Sequence, residues 1–159
     1  MDRMSAWKEL IIRSAESFRL DANLIEAVIM VESSGNPNAV RFEPLWRYFN
    51  HPSVWAEKLG ISRAEEEMLQ ATSFGLMQVM GGTARDLGFT DDLNMLKNPE
   101  IGVFYGCKKL SQLQKKYEQE DQVISAYNQG NARMRNGMFV NQRYVDKVYT
   151  ILRAARVLA

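Results

Sequence analysis

The chain has one cysteine and one histidine in 159 residues. Cys107 has no partner for an internal disulfide, and with His51 as the sole histidine no zinc-ligand cluster can be assembled. Its setting, Tyr105-Gly106-Cys107-Lys108-Lys109-Leu110, reads as a helix interior, so Cys107 is expected to be a small buried residue. Long apolar runs are also missing: no stretch approaches the roughly 18 residues of a membrane span. Neither charge sign dominates, since 20 basic and 19 acidic residues leave a formal net charge of +1, which makes no general case for nucleic acid. Nothing resembles a nucleophile elbow, so a Ser–His hydrolase is unsupported. The opening Met1-Asp2-Arg3-Met4-Ser5-Ala6-Trp7 has neither an apolar core nor a small-residue cleavage site, and a signal peptide is not expected.

What is present is helical pattern. The hydrophobic and charged fractions, 46% and 25%, are ordinary for a globular chain. The length suits one domain that buries roughly two-thirds of its unfolded surface. Ser5 is placed to cap a first helix with Trp7, Leu10, Ile11, Ala15 and Phe18 at helical spacing, and Asp21 to cap a second. Pro52 to Gly60 and a capping box at Ser62-Arg63-Ala64-Glu65 predict two more helices. Gly75 to Met80 and Thr83 to Leu87 read as short helices split by Gly81-Gly82. Asn98-Pro99 opens a long helix to about Tyr117. Asp121 to Asn128 and Asn141 to Leu158 complete an all-α domain, with a short extended piece allowed after Asn38.

The second helix carries the most informative residue. Glu32 ends Leu24-Ile25-Glu26-Ala27-Val28-Ile29-Met30-Val31-Glu32 and leans on Ile25, Val28 and Ile29 on its own face. Burial there disfavours the charged form, and Gly35 and Asn36-Pro37 stop the helix so that the carboxyl faces a loop. Such a Glu can give a proton near neutral pH and take one back.

Further segments follow in order. Ser33-Ser34-Gly35-Asn36-Pro37-Asn38-Ala39 adjoins Glu32; then come Ser73-Phe74-Gly75-Leu76-Met77-Gln78-Val79-Met80 with Thr83-Ala84, Asn98-Pro99 with Gly106, and Ala126-Tyr127-Asn128-Gln129-Gly130. In that order they resemble the soluble lytic transglycosylases, bacterial and phage enzymes with a goose-type-lysozyme-like fold. The resemblance covers the chain from about Leu24 to Gly130. It implies a peptidoglycan substrate and Glu32 as an acid and then a base, forming 1,6-anhydro-muramyl ends. It implies no cofactor, and the partners expected are peptidoglycan glycan strands, with no nucleic acid and no integral membrane segment. The expected protein is a monomer made in the cytoplasm and acting on the wall in the periplasm, delivered by a holin, a virion or a secretion apparatus. A locally positive face would suit that anionic polymer.

Site residues carry over by position. Gln78 is implied to hold a sugar acetamide or hydroxyl, its amide both donating and accepting; the alternative is an amide bonded to backbone. Ser73 places a hydroxyl at the cleft or caps a short helix. Met77 and Met80 read chiefly as core, with a thioether beside a sugar ring the other use. The Tyr127 hydroxyl is implied to orient Glu32, and Asn128 to aim the substrate acetamido group. Tyr144, near the start of the last helix, is a further cleft candidate. The chain departs from the commonest pattern at Arg41, where many relatives have Ser, and in an insertion from about Phe42 to Thr72. Arg-aromatic-Glu-Pro followed by aromatics resembles a sub-branch often found in phages. The insertion's Trp46, Tyr48, Phe49 and Trp55 either extend the sugar groove or pack its extra helices. Its Glu43 would be the second carboxylate of a muramidase that uses water, the alternative chemistry.

Overall fold

The computed structural model describes residues 2–158. Helices account for most of them: α1 (Lys8–Phe18), α2 (Ala22–Ser33), α3 (Pro52–Leu59), α4 (Arg63–Gln70), α5 (Gly81–Asp86), α6 (Pro99–Lys116), α7 (Glu120–Gln129) and α8 (Gln142–Leu158). Strands β1 (Val40–Phe42), β2 (Thr72–Phe74) and β3 (Val79–Met80) form an antiparallel sheet in that order, and β4 (Met134–Arg135) and β5 (Met138–Phe139) form a hairpin. This is the mostly helical, lysozyme-like architecture that the sequence motifs imply. No helix among the described residues is long and apolar enough to cross a membrane.

The chain divides into two compact units. One runs to Val31 and resumes at Cys107; the other spans Glu32–Gly106. In the first, α1 buries Leu10, Ile11 and Ala15, and α8 buries Val145, Val148 and Leu152, the last three at the i, i+3 and i+7 positions of an amphipathic helix. Cys107 is buried, and burial pushes its thiol up to about 12, as befits a small core residue. Asp21 accepts from Asn23 N at 2.8 Å and starts α2. Arg156, in α8, grips that same Asp21 at 2.9 Å and Glu120 at 2.7 Å, tying the start of α2 to the start of α7. The first turn differs from expectation: Asp2, not Ser5, accepts from Met4 N at 3.2 Å and caps a 3-10 turn over Arg3–Trp7 that leads into α1.

The second unit contains the insertion. Pro52 opens α3, and Gly60 closes it at φ +69°, a left-handed conformation that favours glycine. Ser62 Oγ accepts from Glu65 N at 3.1 Å to begin α4. The insertion is bolted down by a buried pair: Arg85 on α5 meets Glu66 on α4 through two hydrogen bonds, 2.8 and 3.1 Å, both side chains fully buried. Arg85 also donates to Phe89 O and Asp91 O and lies 4.6 Å from the Trp55 ring centroid. Beside it Gln70, also buried, holds the Asn50 backbone from both sides, at 2.7 and 2.9 Å, and donates to Glu66 Oε1 at 2.8 Å. Gly81-Gly82 gives this layer its floor. A Cβ at Gly81 would collide with Leu69 O, and one at Gly82 would stand 2.9 Å from Tyr48 O and 3.0 Å from Trp46 Nε1.

Gly75 to Met80 is not a helix: Gly75-Leu76-Met77-Gln78 is the turn that joins β2 to β3, with Gly75 at φ +78° and Gln78 at φ +50°. Leu76 and Met77 are good helix formers, but here both are buried from a turn, so tertiary burial overrides propensity. Gly81-Gly82 does not split two helices; it opens α5.

Candidate active site

Within the unit Glu32–Gly106, Glu32 is the penultimate residue of α2 and is half-buried. Ile25, Val28 and Ile29, on the preceding turns of the same helix, are wholly buried. Ser33, next in the chain, donates through Oγ to Leu76 O at 2.7 Å. That bond pins the end of α2 to the β2–β3 turn and holds the Glu32 backbone in place.

The turn is built around Gln78. Its Nε2 donates to Ala39 O at 2.9 Å and to Gly75 O at 3.0 Å, and its Oε1 accepts from Ser73 Oγ at 2.9 Å. Both amide hydrogens are thereby committed to backbone, which offsets the cost of order 1–3 kcal/mol of a non-glycine residue in a left-handed conformation. One lone pair of Oε1 remains for an outside donor such as a sugar hydroxyl. Ser73 lies in β2, buried, and caps no helix; its hydroxyl steadies Gln78. Register places Arg41, Ser73 and Met80 in one row across the sheet. Glu43 is engaged by Arg41, Nε to Oε1 at 2.9 Å, a surface ion pair.

Met77 is fully buried and packs against the helix face at Gly106, where an added Cβ would meet its Sδ. Met77 is therefore core, as its type suggests. Met80 is half-buried.

The other unit holds the remaining candidates. Tyr127, near the end of α7, is buried, and Lys109 Nζ stands 4.4 Å from its ring centroid while donating to Tyr127 O at 2.6 Å. Asn128 is exposed. Its Oδ1 accepts from Asn141 Nδ2 at 2.9 Å, and Asn141 is in turn locked by Ser125, Oγ to Oδ1 at 2.7 Å and Nδ2 to Ser125 O at 3.0 Å. This chain fixes the Asn128 amide and uses its oxygen, so what it offers a ligand is its NH2, a donor suited to a carbonyl. Tyr144, in the first turn of α8, is half-buried.

Sequence reading missed the supporting residues Lys109, Ser125 and Asn141. Asn141 carried a faint signal as a helix-start residue; Lys109 and Ser125 carried none, because their partners lie 18 and 16 positions away in the chain, respectively.

Comparison with known proteins agrees with the motifs. The family described as "Transglycosylase SLT domain" matches residues 9–147. The "Invasion protein IagB" of Salmonella typhimurium, in strains SL1344 and LT2, is 23% identical over 145 residues, 91% of this chain and 76% of the relative. The protein of the same name in Salmonella typhi is similar to the same degree, 23% over 145 residues.

Proposed function

The chain belongs to the transglycosylase SLT domain family, and we propose that it is a peptidoglycan lytic transglycosylase in which Glu32 serves as both acid and base. The observation that carries this reading is the position of Glu32: half-buried on an apolar helix end that Ser33 fastens to the turn holding Gln78. A general acid has to be held still against the oxygen it protonates, and this anchoring does so.

The cleavage proceeds in two steps. Glu32 gives its proton to the oxygen bridging the muramyl and glucosaminyl residues, and that bond breaks as positive charge develops at the muramyl C1. The muramyl acetamido oxygen stabilises the cation. Glu32, now a carboxylate, then takes the proton of the muramyl 6-hydroxyl, whose oxygen closes on C1 to form the 1,6-anhydro ring. No water is consumed, and Glu32 ends protonated as it began. One carboxyl suffices because the substrate supplies the second group, a variant of substrate-assisted glycoside cleavage.

In this scheme Gln78 Oε1 accepts from a sugar hydroxyl, the Asn128 NH2 donates to the acetamido carbonyl, and Tyr144 contacts the glycan. The alternative, hydrolysis with Glu43 activating water, is less well supported, since the Glu43 carboxylate is paired with Arg41. The enzyme acts as a monomer on the wall, in the periplasm, and a holin, a virion or a secretion apparatus delivers it.

Glu32→Gln tests the assignment. An amide cannot donate and recover the proton, so wall lysis should fall at least about 10²-fold with the fold intact by circular dichroism. A folded variant that keeps more than about a tenth of the activity removes Glu32 from the role.

A further inference from the structure

The insertion settles which of its aromatics pack and which do not. Trp55 is held by Arg85, Lys58 and Asn50, and Trp46 rests on Gly82. The others face water: Phe42 is 55%, Leu45 80% and Tyr48 75% exposed, and Phe49 is exposed with them. Arg41 and Arg47 on the same segment are exposed as well. Exposed apolar side chains are ordinary when scattered; clustered on one short stretch they mark a binding surface.

This stretch is fastened at several points. Gln70 clamps Asn50 at its far end, Glu43 N donates to Ala71 O at 2.8 Å, and Trp46 N donates to Glu43 O at 3.0 Å. The Tyr48 ring is braced edge-on by Trp46, centroids 5.4 Å apart at 78°. Side chains ordered in advance lose little entropy when a ligand arrives. The segment is also a direct continuation of the motif residues. Its first residues form β1 beside Ser73 on β2, and the carbonyl just before β1, Ala39 O, is bonded by Gln78.

We infer that residues 41–49 form a platform for the glycan strand beyond the cleaved bond, with Tyr48 and Phe42 stacking on sugar rings and Arg47 meeting a carboxylate of the muramyl stem. The inference rests on the lytic transglycosylase reading and names how that enzyme grips a long polymer. Planar rings match the C–H faces of pyranoses. A guanidinium matches the carboxylates that recur on every muramyl unit. A partner protein's apolar helix would use Leu45 and Phe49 equally and would have no need of a planar face at position 48.

The test uses inactive Glu32→Gln protein, so that binding to purified sacculi can be measured without cleavage. Adding Tyr48→Ala should weaken that binding about tenfold, a change of about 1.4 kcal/mol, with melting temperature unmoved because the ring is exposed. Tyr48→Phe should restore binding and Tyr48→Leu should not. In the active enzyme, Tyr48→Ala should raise KM on sacculi and leave kcat in place. Equal binding by the Ala, Leu and Phe variants would overturn the platform, as would binding kept by Leu as well as by Phe, which points to a generic apolar contact. The two readings fail separately. A wild type that binds sacculi through Tyr48 but releases no muropeptides defeats the chemistry alone, whereas normal cleavage by Tyr48→Ala at unchanged KM defeats the platform alone.

Discussion

Arg85→Leu should be among the most damaging single changes to this fold outside the apolar core. The guanidinium makes two hydrogen bonds to Glu66, at 2.8 and 3.1 Å, and two to the carbonyls of Phe89 and Asp91, at 3.0 and 2.7 Å. Both charged side chains are fully buried, so removing Arg85 leaves a carboxylate in the interior that still accepts from Gln70 Nε2 but has lost its counter-charge. Breaking a buried pair from one side costs about 3–5 kcal/mol, well above the roughly 0–1 kcal/mol of an exposed pair such as Arg41–Glu43. For a chain of this size each kcal/mol moves the melting temperature by roughly 2–4 °C, so the expected drop is roughly 6–20 °C. Thermal melts followed by circular dichroism, with denaturant titration for the free energy, measure it. Glu66→Leu combined with Arg85→Leu should lose less than Arg85→Leu alone, because no charge is then stranded. A loss below about 1 kcal/mol for Arg85→Leu, or strict additivity in the double variant, would refute the argument that this pair anchors the insertion.

Two other outcomes follow from the site and the core. Asn128→Ala should cost roughly 2–4 kcal/mol in the transition state, since the NH2 is the donor offered to the acetamido carbonyl; it should appear in kcat, with stability little changed because Asn128 is exposed. Clear destabilisation at full activity would make Asn128 a structural residue of the Asn141 network. Burial raises the Cys107 thiol from 9.0 to about 12, favouring the neutral form in the folded state, so a thiol reagent at pH 8 should label the native protein slowly and the unfolded protein fast. The same sign means that this contribution to stability is present below the unfolded value of 9.0 and is lost as pH rises from there towards about 12. Rapid labelling of native protein would contradict the burial argument.

What the sequence disclosed, and what it hid, follows from the range of the interactions involved. Helix boundaries set by local chemistry were legible: Asp21 at the start of α2, Ser62 at the start of α4, Gly60 after α3 and Pro99 at the first position of α6. The half-buried placement of Glu32 near the end of α2 was legible for the same reason, since the apolar run before it and the helix stop after it lie within a few residues. The Gly75–Gln78 turn was not, because Leu76, Met77 and Gln78 favour helix and the turn is enforced by distant partners, Ala39 O and Ser33 Oγ among them. Nor could spacing reveal that Glu66 meets Arg85 or that Arg156 meets Asp21 across 135 positions. The aromatics of the insertion could be counted but not sorted into packed and exposed until Gly82 and Arg85 showed which of them had a surface to rest on.

The most direct measurement is the chemistry of the new chain ends. Sacculi digested to completion and resolved by mass spectrometry should yield muropeptides that end in 1,6-anhydro-muramyl residues, each lacking the water that hydrolysis would add. Products dominated by reducing muramyl ends would contradict the account, make the protein a muramidase, and make Glu43 the first residue to replace.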